Sequence, residues 1–375
     1  MTELTAAIIL GNIATHQLTP ETVLKLIKAA GTPLALLERR RDIRSICPDA
    51  TQTVVNVFCQ DFSELEEQAL AEQEWCAEHH VVPLVHGTLE YPTRLLGIPD
   101  APVVLYTHAT ANLNATHTVS IVGTRNITTY GNDVINKLVG DISEICPDCN
   151  IISGLAYGVD IHAHRAAMAA NLPTVAVVAH GIDTIYPAVH RHDAEQMTKL
   201  SGDVITEYPI RTAAAPRNFL QRNRIVAALG DATVVVESAY RGGALSTART
   251  AKAYGRPVFA VPGPINSEYS MGCNTLIRDG KAQLLTAAAD IAKALGWDTT
   301  KKKKASDKNI ERPFTPNLLP QEQRIVEALR RGDLHTNALA LATGLDAGII
   351  TATLFSLEMQ GIVRSLPGNV YHLIG

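Results

Sequence analysis

A chain of 375 residues with 46% apolar content is too long for one ordinary core and suggests two or three packed domains. Its formal net charge of -4 excludes a general polyanion binder, so any nucleic-acid contact has to come from a local patch. Six scattered cysteines argue against a disulfide framework, and no apolar run approaches membrane length, which points to a cytoplasmic protein with no membrane partner.

Residues 1–75 read as a small helical domain. Thr19-Pro20-Glu21 is a cap followed by proline at the first helical position, Val23, Leu24, Leu26 and Ile27 recur at helical spacing, and Gly31 stops the run. The Gly-apolar-Gly hairpin of a helix-hairpin-helix is missing, so packing or docking is the better reading than DNA contact.

Between residues 80 and 297 the pattern changes. Short β-branched runs at Val81–Val85, Val103–Tyr106, Val119–Val122, Ile151–Ile152, Val175–Val178, Val204–Ile205, Val234–Val236, Val258–Ala260 and Leu284–Leu285 alternate with segments long enough for crossover helices. Continuously apolar strands of this kind are covered on both faces. The expected fold is therefore α/β, an extended Rossmann-like and mostly parallel sheet. Cys146-Pro147-Asp148-Cys149 lacks a second ligand pair and reads as a connector loop. In Asp160-Ile161-His162-Ala163-His164 the two histidines point to opposite sides of a helix, so no metal site is expected and no cofactor is called for.

Three glycine turns close sheet strands: Gly123-Thr124-Arg125, Ser153-Gly154-Leu155-Ala156-Tyr157-Gly158, and Arg241-Gly242-Gly243. Each stands where a strand ends and a helix begins, a place that favours anions. None is a dinucleotide fingerprint or a P-loop. The most informative stretch is Pro216-Arg217-Asn218-Phe219-Leu220-Gln221-Arg222-Asn223-Arg224. Arg211, Arg217, Arg222 and Arg224 occur between Tyr208 and Gly230 with no acidic residue among them. Cations with a ring between them suit single-stranded nucleic acid, phosphates to the former and an unstacked base to the latter. Tyr130, Tyr157, Tyr186 and Tyr240 are further candidate rings.

Residues 298–317, with Lys301-Lys302-Lys303-Lys304, read as a flexible linker. Residues 318–375 read as a winged helix: helices near Gln321–Arg331, Thr336–Thr343 and Ala347–Gln360, then a hairpin over Gly361–Ser365 and Val370–Leu373. The third helix has no Lys or Arg, which favours protein contact over reading a duplex.

Taken in order, Ile121-Val122-Gly123-Thr124-Arg125, Ser153-Gly154-Leu155-Ala156-Tyr157-Gly158-Val159-Asp160 with His164, His180-Gly181-Ile182-Asp183 with Tyr186-Pro187, Arg222-Asn223-Arg224, and Val261-Pro262-Gly263 with Gly272 and Asn274 resemble the DprA/Smf family of DNA-processing proteins. The resemblance implies a non-enzymatic mediator of natural transformation. It would bind and protect incoming single-stranded DNA, load the RecA recombinase, and act as a homodimer. It implies a DNA site at Gly123, Arg125, Ser153, Gly154 and Gly158, with Arg217, Phe219, Arg222, Asn223 and Arg224 beside them and Arg241, Gly242 and Gly243 adjoining. Ala188 stands where the family often has a lysine, and Arg191 is a candidate for that charge. Two other readings stay open. A Rossmann-like nucleotide phosphoribohydrolase has a similar glycine loop, but Arg249 occupies its catalytic acid position. A protein-interaction scaffold would show no salt-dependent DNA binding.

Overall fold

The computed structural model describes residues 1–297, 318–330 and 332–374. They fall into two compact units, one ending after residue 297 and the other holding residues 318–374. The expected linker at 298–317, with its four lysines, lies outside the described residues.

The first unit is built on nine strands: β1 (Val82–Val85), β2 (Val104–Thr107), β3 (Thr118–Val122), β4 (Asn150–Ser153), β5 (Thr174–Val177), β6 (Asp203–Thr206), β7 (Ala232–Val235), β8 (Val258–Ala260) and β9 (Gln283–Leu284). Their order across the sheet is β1-β2-β6-β5-β4-β3-β7-β8-β9. From β6 to β9 all neighbours are parallel, while β1 and β2 run antiparallel at one edge. The chain moves outward from β3 through β4, β5 and β6, then returns to lay β7 on the other side of β3. That reversal makes the carboxyl ends of β3 and β7 the topological switch point of the sheet, the place where open α/β sheets bind ligands.

Strand side chains alternate between two cores. Val122, Ile152, Val175, Val177 and Val235 pack against helices Pro216–Leu229 and Ala244–Ala253. Val119, Ile121, Ile151 and Val234 pack against helices Thr129–Ile145, Val159–Ala169 and Ala288–Leu295. Each fully buried Val or Ile contributes about 1.5–3 kcal/mol. The arginine-bearing helix 216–229 thus has one apolar half, Ile225 to Leu229, anchored to the sheet. Its other half is left at the switch point.

The N-terminal helices, from Glu3–His16 to Ser63–Glu78, share a core with Val103, Val104 and Tyr106 of the antiparallel edge. They continue the first unit and do not form a third body.

The second unit has helices Pro320–Leu329, Thr336–Thr343 and Ala347–Met359 over a three-stranded sheet of β10 (Leu334–His335), β11 (Val363–Leu366) and β12 (Val370–Leu373). Ile325, Leu329, Leu339, Ile350, Leu354, Leu357 and Val363 form its own core. This is the winged-helix arrangement, with β10 as a strand too short for the sequence pattern to show. Among the described residues no single helix is long and apolar enough to cross a membrane.

Candidate nucleic-acid interface

The loops after β3, β4 and β7 interlock through glycine. A Cβ on Gly123 would lie 2.4 Å from Val159 Cγ2, and one on Gly154 would lie 2.4 Å from an Arg222 guanidinium nitrogen. Gly158 has φ of +73°, and a Cβ there would meet the Thr124 carbonyl at 2.2 Å. Gly158 thus lets backbone meet backbone, while Gly123 and Gly154 leave room for the Val159 and Arg222 side chains. The Val159 N–H donates to the Thr124 carbonyl (3.0 Å) and the Thr124 N–H to the Glu237 carbonyl (2.7 Å).

Glu237 holds the switch point and was not picked out from the sequence. Its buried carboxylate accepts from the Thr128 N–H (2.9 Å) and the Thr128 hydroxyl (2.6 Å), which clamps the β3 loop to the β7 loop. A carboxylate placed directly after the apolar run of β7 was the available signal. The Thr128 hydroxyl also caps helix 129–145. Helices 159–169, 216–229 and 244–253 have no side-chain cap, and their first-turn N–H groups turn to backbone carbonyls instead, as Ile161 does to Ala156 and Phe219 to Ala215.

Phe219 is the hub of the site. The Arg125 guanidinium lies over its ring at 5.3 Å from the centroid, the Tyr186 ring is 5.9 Å away, and Arg222 is 6.0 Å away. Residues separated by as many as 97 positions (125 and 222) thus converge on one ring. Arg125, Arg217 and Arg241 are exposed, and no ion pair among the described residues holds any of them. Tyr157, Tyr186 and Tyr240 are each roughly half exposed.

Two arginines of the cluster are buried. Arg224 makes a buried two-pronged pair with Glu207, both bonds at 2.6 Å, and donates from Nε to the Asp100 carbonyl (2.9 Å). Burial opposes its charge, but Glu207 outweighs that and raises its pKa. Arg222 is 3% exposed and donates to the carbonyls of Gly154 (2.6 Å) and Val177. Burial lowers its pKa, with Asp160 opposing. Both guanidinium groups are thus buried with their donors on protein acceptors, unlike the exposed Arg125, Arg217 and Arg241. Asn223 accepts from Arg222 Nε (3.3 Å). Ser153 is buried, its hydroxyl on the Ile121 carbonyl (2.6 Å), so it supports the rim without lining it. Gly242 packs against Ser238, while Gly243 has open space beside it.

His164 and Asp160 sit below the loops. Burial pushes His164 down to about 3, and its Nδ1 pairs with the Thr174 hydroxyl at 2.7 Å. Burial raises Asp160, with Arg222 opposing. No group of three or more His, Cys, Asp or Glu among the described residues is placed to hold a metal ion. Cys146 and Cys149 are free thiols in a connecting turn.

The fold and the rim define a class: a Rossmann-like α/β protein with cations and rings at its switch point and an appended winged helix. Residues 83–296 match the family model described as DNA recombination-mediator protein A, and residues 311–369 match the DprA winged helix domain. Protein Smf of Escherichia coli is 31% identical over 300 residues, covering 79% of this chain and 78% of that protein. The DNA processing protein DprA of Bacillus subtilis is 38% identical over 208 residues, 55% of this chain and 68% of that protein. The X-ray structure of DNA processing protein A from Streptococcus pneumoniae aligns with a TM-score of 0.55 at 26% identity, over 74% of this chain and 98% of that one. The chain belongs to the DNA recombination-mediator protein A (DprA/Smf) family of DNA-processing proteins.

Proposed function

We propose that this chain is a non-enzymatic, cytoplasmic mediator that binds single-stranded DNA at the β3/β7 switch point, protects it, and passes it to the RecA recombinase during natural transformation, acting as a homodimer. The observation that carries the DNA reading is the Phe219 ring with the Arg125 guanidinium 5.3 Å and the Tyr186 ring 5.9 Å from it, on a unit that also exposes Arg217 and Arg241. Phosphates would meet Arg125, Arg217, Arg241 and the backbone of the glycine turns, and a splayed base would meet Phe219 or one of the exposed tyrosines. The duplex grooves carry their base code on edges that a flat stacking ring cannot read, so an unpaired strand is the better fit. The phosphoribohydrolase reading is disfavoured by Arg249, which puts a cation where that chemistry needs an acid; its Nε donates to the Leu245 carbonyl.

The test is binding to a short oligonucleotide across a salt series. Log affinity falls with log salt by about 0.7 per phosphate neutralised, and Arg125→Ala shrinks the slope by about one contact. Phe219→Ala costs about 1–3 kcal/mol at constant slope if the ring stacks a base. An unchanged slope and affinity in both variants would remove the switch point from consideration.

A further inference from the structure

We propose that the third helix of the winged unit, Ala347–Met359, is a contact between two copies of this chain, paired antiparallel about a two-fold axis. The helix is apolar on both sides. Its inner side buries Ile350, Thr353, Leu354 and Leu357 in the winged-helix core. Its outer side exposes Gly348, Ala352, Phe355 and Met359, with Phe355 at 67% and Met359 at 75% exposure. At about 100° per residue these four positions fall within about 60° of one another, a single straight stripe. A helix apolar all round implies a second cover beyond its own core.

The order of residues along the stripe selects the occupant. Two small residues come first and two large ones follow. A two-fold axis crossing the helix midway between Thr353 and Leu354 sets Gly348 against the partner's Met359 and Ala352 against the partner's Phe355. Each pairing puts large against small, as a self-complementary isologous interface requires. The stripe carries no charge, so two copies meet without like-charge repulsion. The nearest acid on the helix, Glu358, is turned away and accepts from the Ser365 N–H at 3.0 Å. A duplex is disfavoured because the stripe offers no base-reading donor. An anionic lipid surface is disfavoured because the helix has no Lys or Arg.

The 13-residue helix is about 20 Å long. One such stripe covers roughly half of the ~800 Å² per partner of a standard interface, so the contact is weak alone and is best trapped covalently. It involves the winged unit only and stands or falls separately from the DNA reading.

The experiment is oxidative cross-linking of the full chain with Cys59, the exposed native cysteine, replaced by serine; the other five are buried. In the antiparallel pair the two copies of position 352 are offset by about 4.5 Å along the helices, and so are those of 355, within disulfide reach. The two copies of 348, and of 359, are offset by about 16 Å, beyond it. Ala352→Cys and Phe355→Cys should each give a covalent dimer. Gly348→Cys and Met359→Cys should give none alone and a dimer when mixed. Self-linking at all four positions would mean parallel pairing, and no linking at any, in variants whose circular dichroism matches the parent, would mean another occupant; either result overturns the proposal.

Discussion

At the residue scale, the arginines of helix 216–229 divide into two kinds that look alike in one dimension. Arg217 is exposed and without an acidic partner among the described residues, whereas Arg224 is locked to Glu207, a residue 17 positions upstream. Breaking a buried pair by removing one partner costs about 3–5 kcal/mol, because the other charge is left unsolvated. Arg224→Ala should therefore lower the stability of the first unit by that amount in a denaturant melt. Arg217→Ala should stay within about 0.5 kcal/mol of the parent and reduce the salt slope of DNA binding instead. If both variants lose DNA binding with no loss of stability, Arg224 reaches phosphate after all. Phe219 stood out in the sequence as a ring among arginines. That Arg125 would cover it was not legible there, because nothing local links position 125 to position 219.

At the element scale, one contact joins the N-terminal helices to the rim. Glu72, on the helix Ser63–Glu78, is buried and accepts from the Ile210 N–H at 2.9 Å, in the segment that leads from β6 to the arginine helix. Burial pushes its carboxyl up to about 7, and the Ile210 bond opposes this. The folded chain thus holds a proton that the unfolded chain, with an ordinary value of 4.5, has already released. The Glu72 contribution to stability falls as pH rises from about 4.5 to about 7 and levels off above that. Glu72→Gln keeps an acceptor for Ile210 and removes the charge. Its melting temperature should gain on the parent's between pH 5 and pH 8, by the equivalent of on the order of 3 kcal/mol at the upper end. A difference that does not change with pH would place Glu72 in water. The sequence marked residues 1–75 as helical correctly, since caps and 3.6-residue spacing are local signals. Their fusion to the sheet edge depends on Val103, Val104 and Tyr106 presenting a matching apolar surface, which only the fold brings opposite them.

At the scale of the whole molecule, every residue of the candidate DNA site belongs to the first unit, and the winged unit has its own core. A chain ending at residue 297 should keep its affinity for a short single strand within about twofold, measured by fluorescence anisotropy at one salt concentration. A loss of tenfold or more would assign strand contacts to the winged unit. The sequence by itself determined the nine strands, the glycine turns, the three helices of the tail and the family, because strand and helix periodicity, turn chemistry and ordered motifs are all written in short stretches of chain. Only the tertiary structure decided which arginines remain free, that Glu237 ties the two sides of the switch point together, and that Arg125, Tyr186 and Phe219 meet. Those outcomes depend on desolvation and on partners far apart in the chain, and a buried cation and an exposed one are spelled with the same letter.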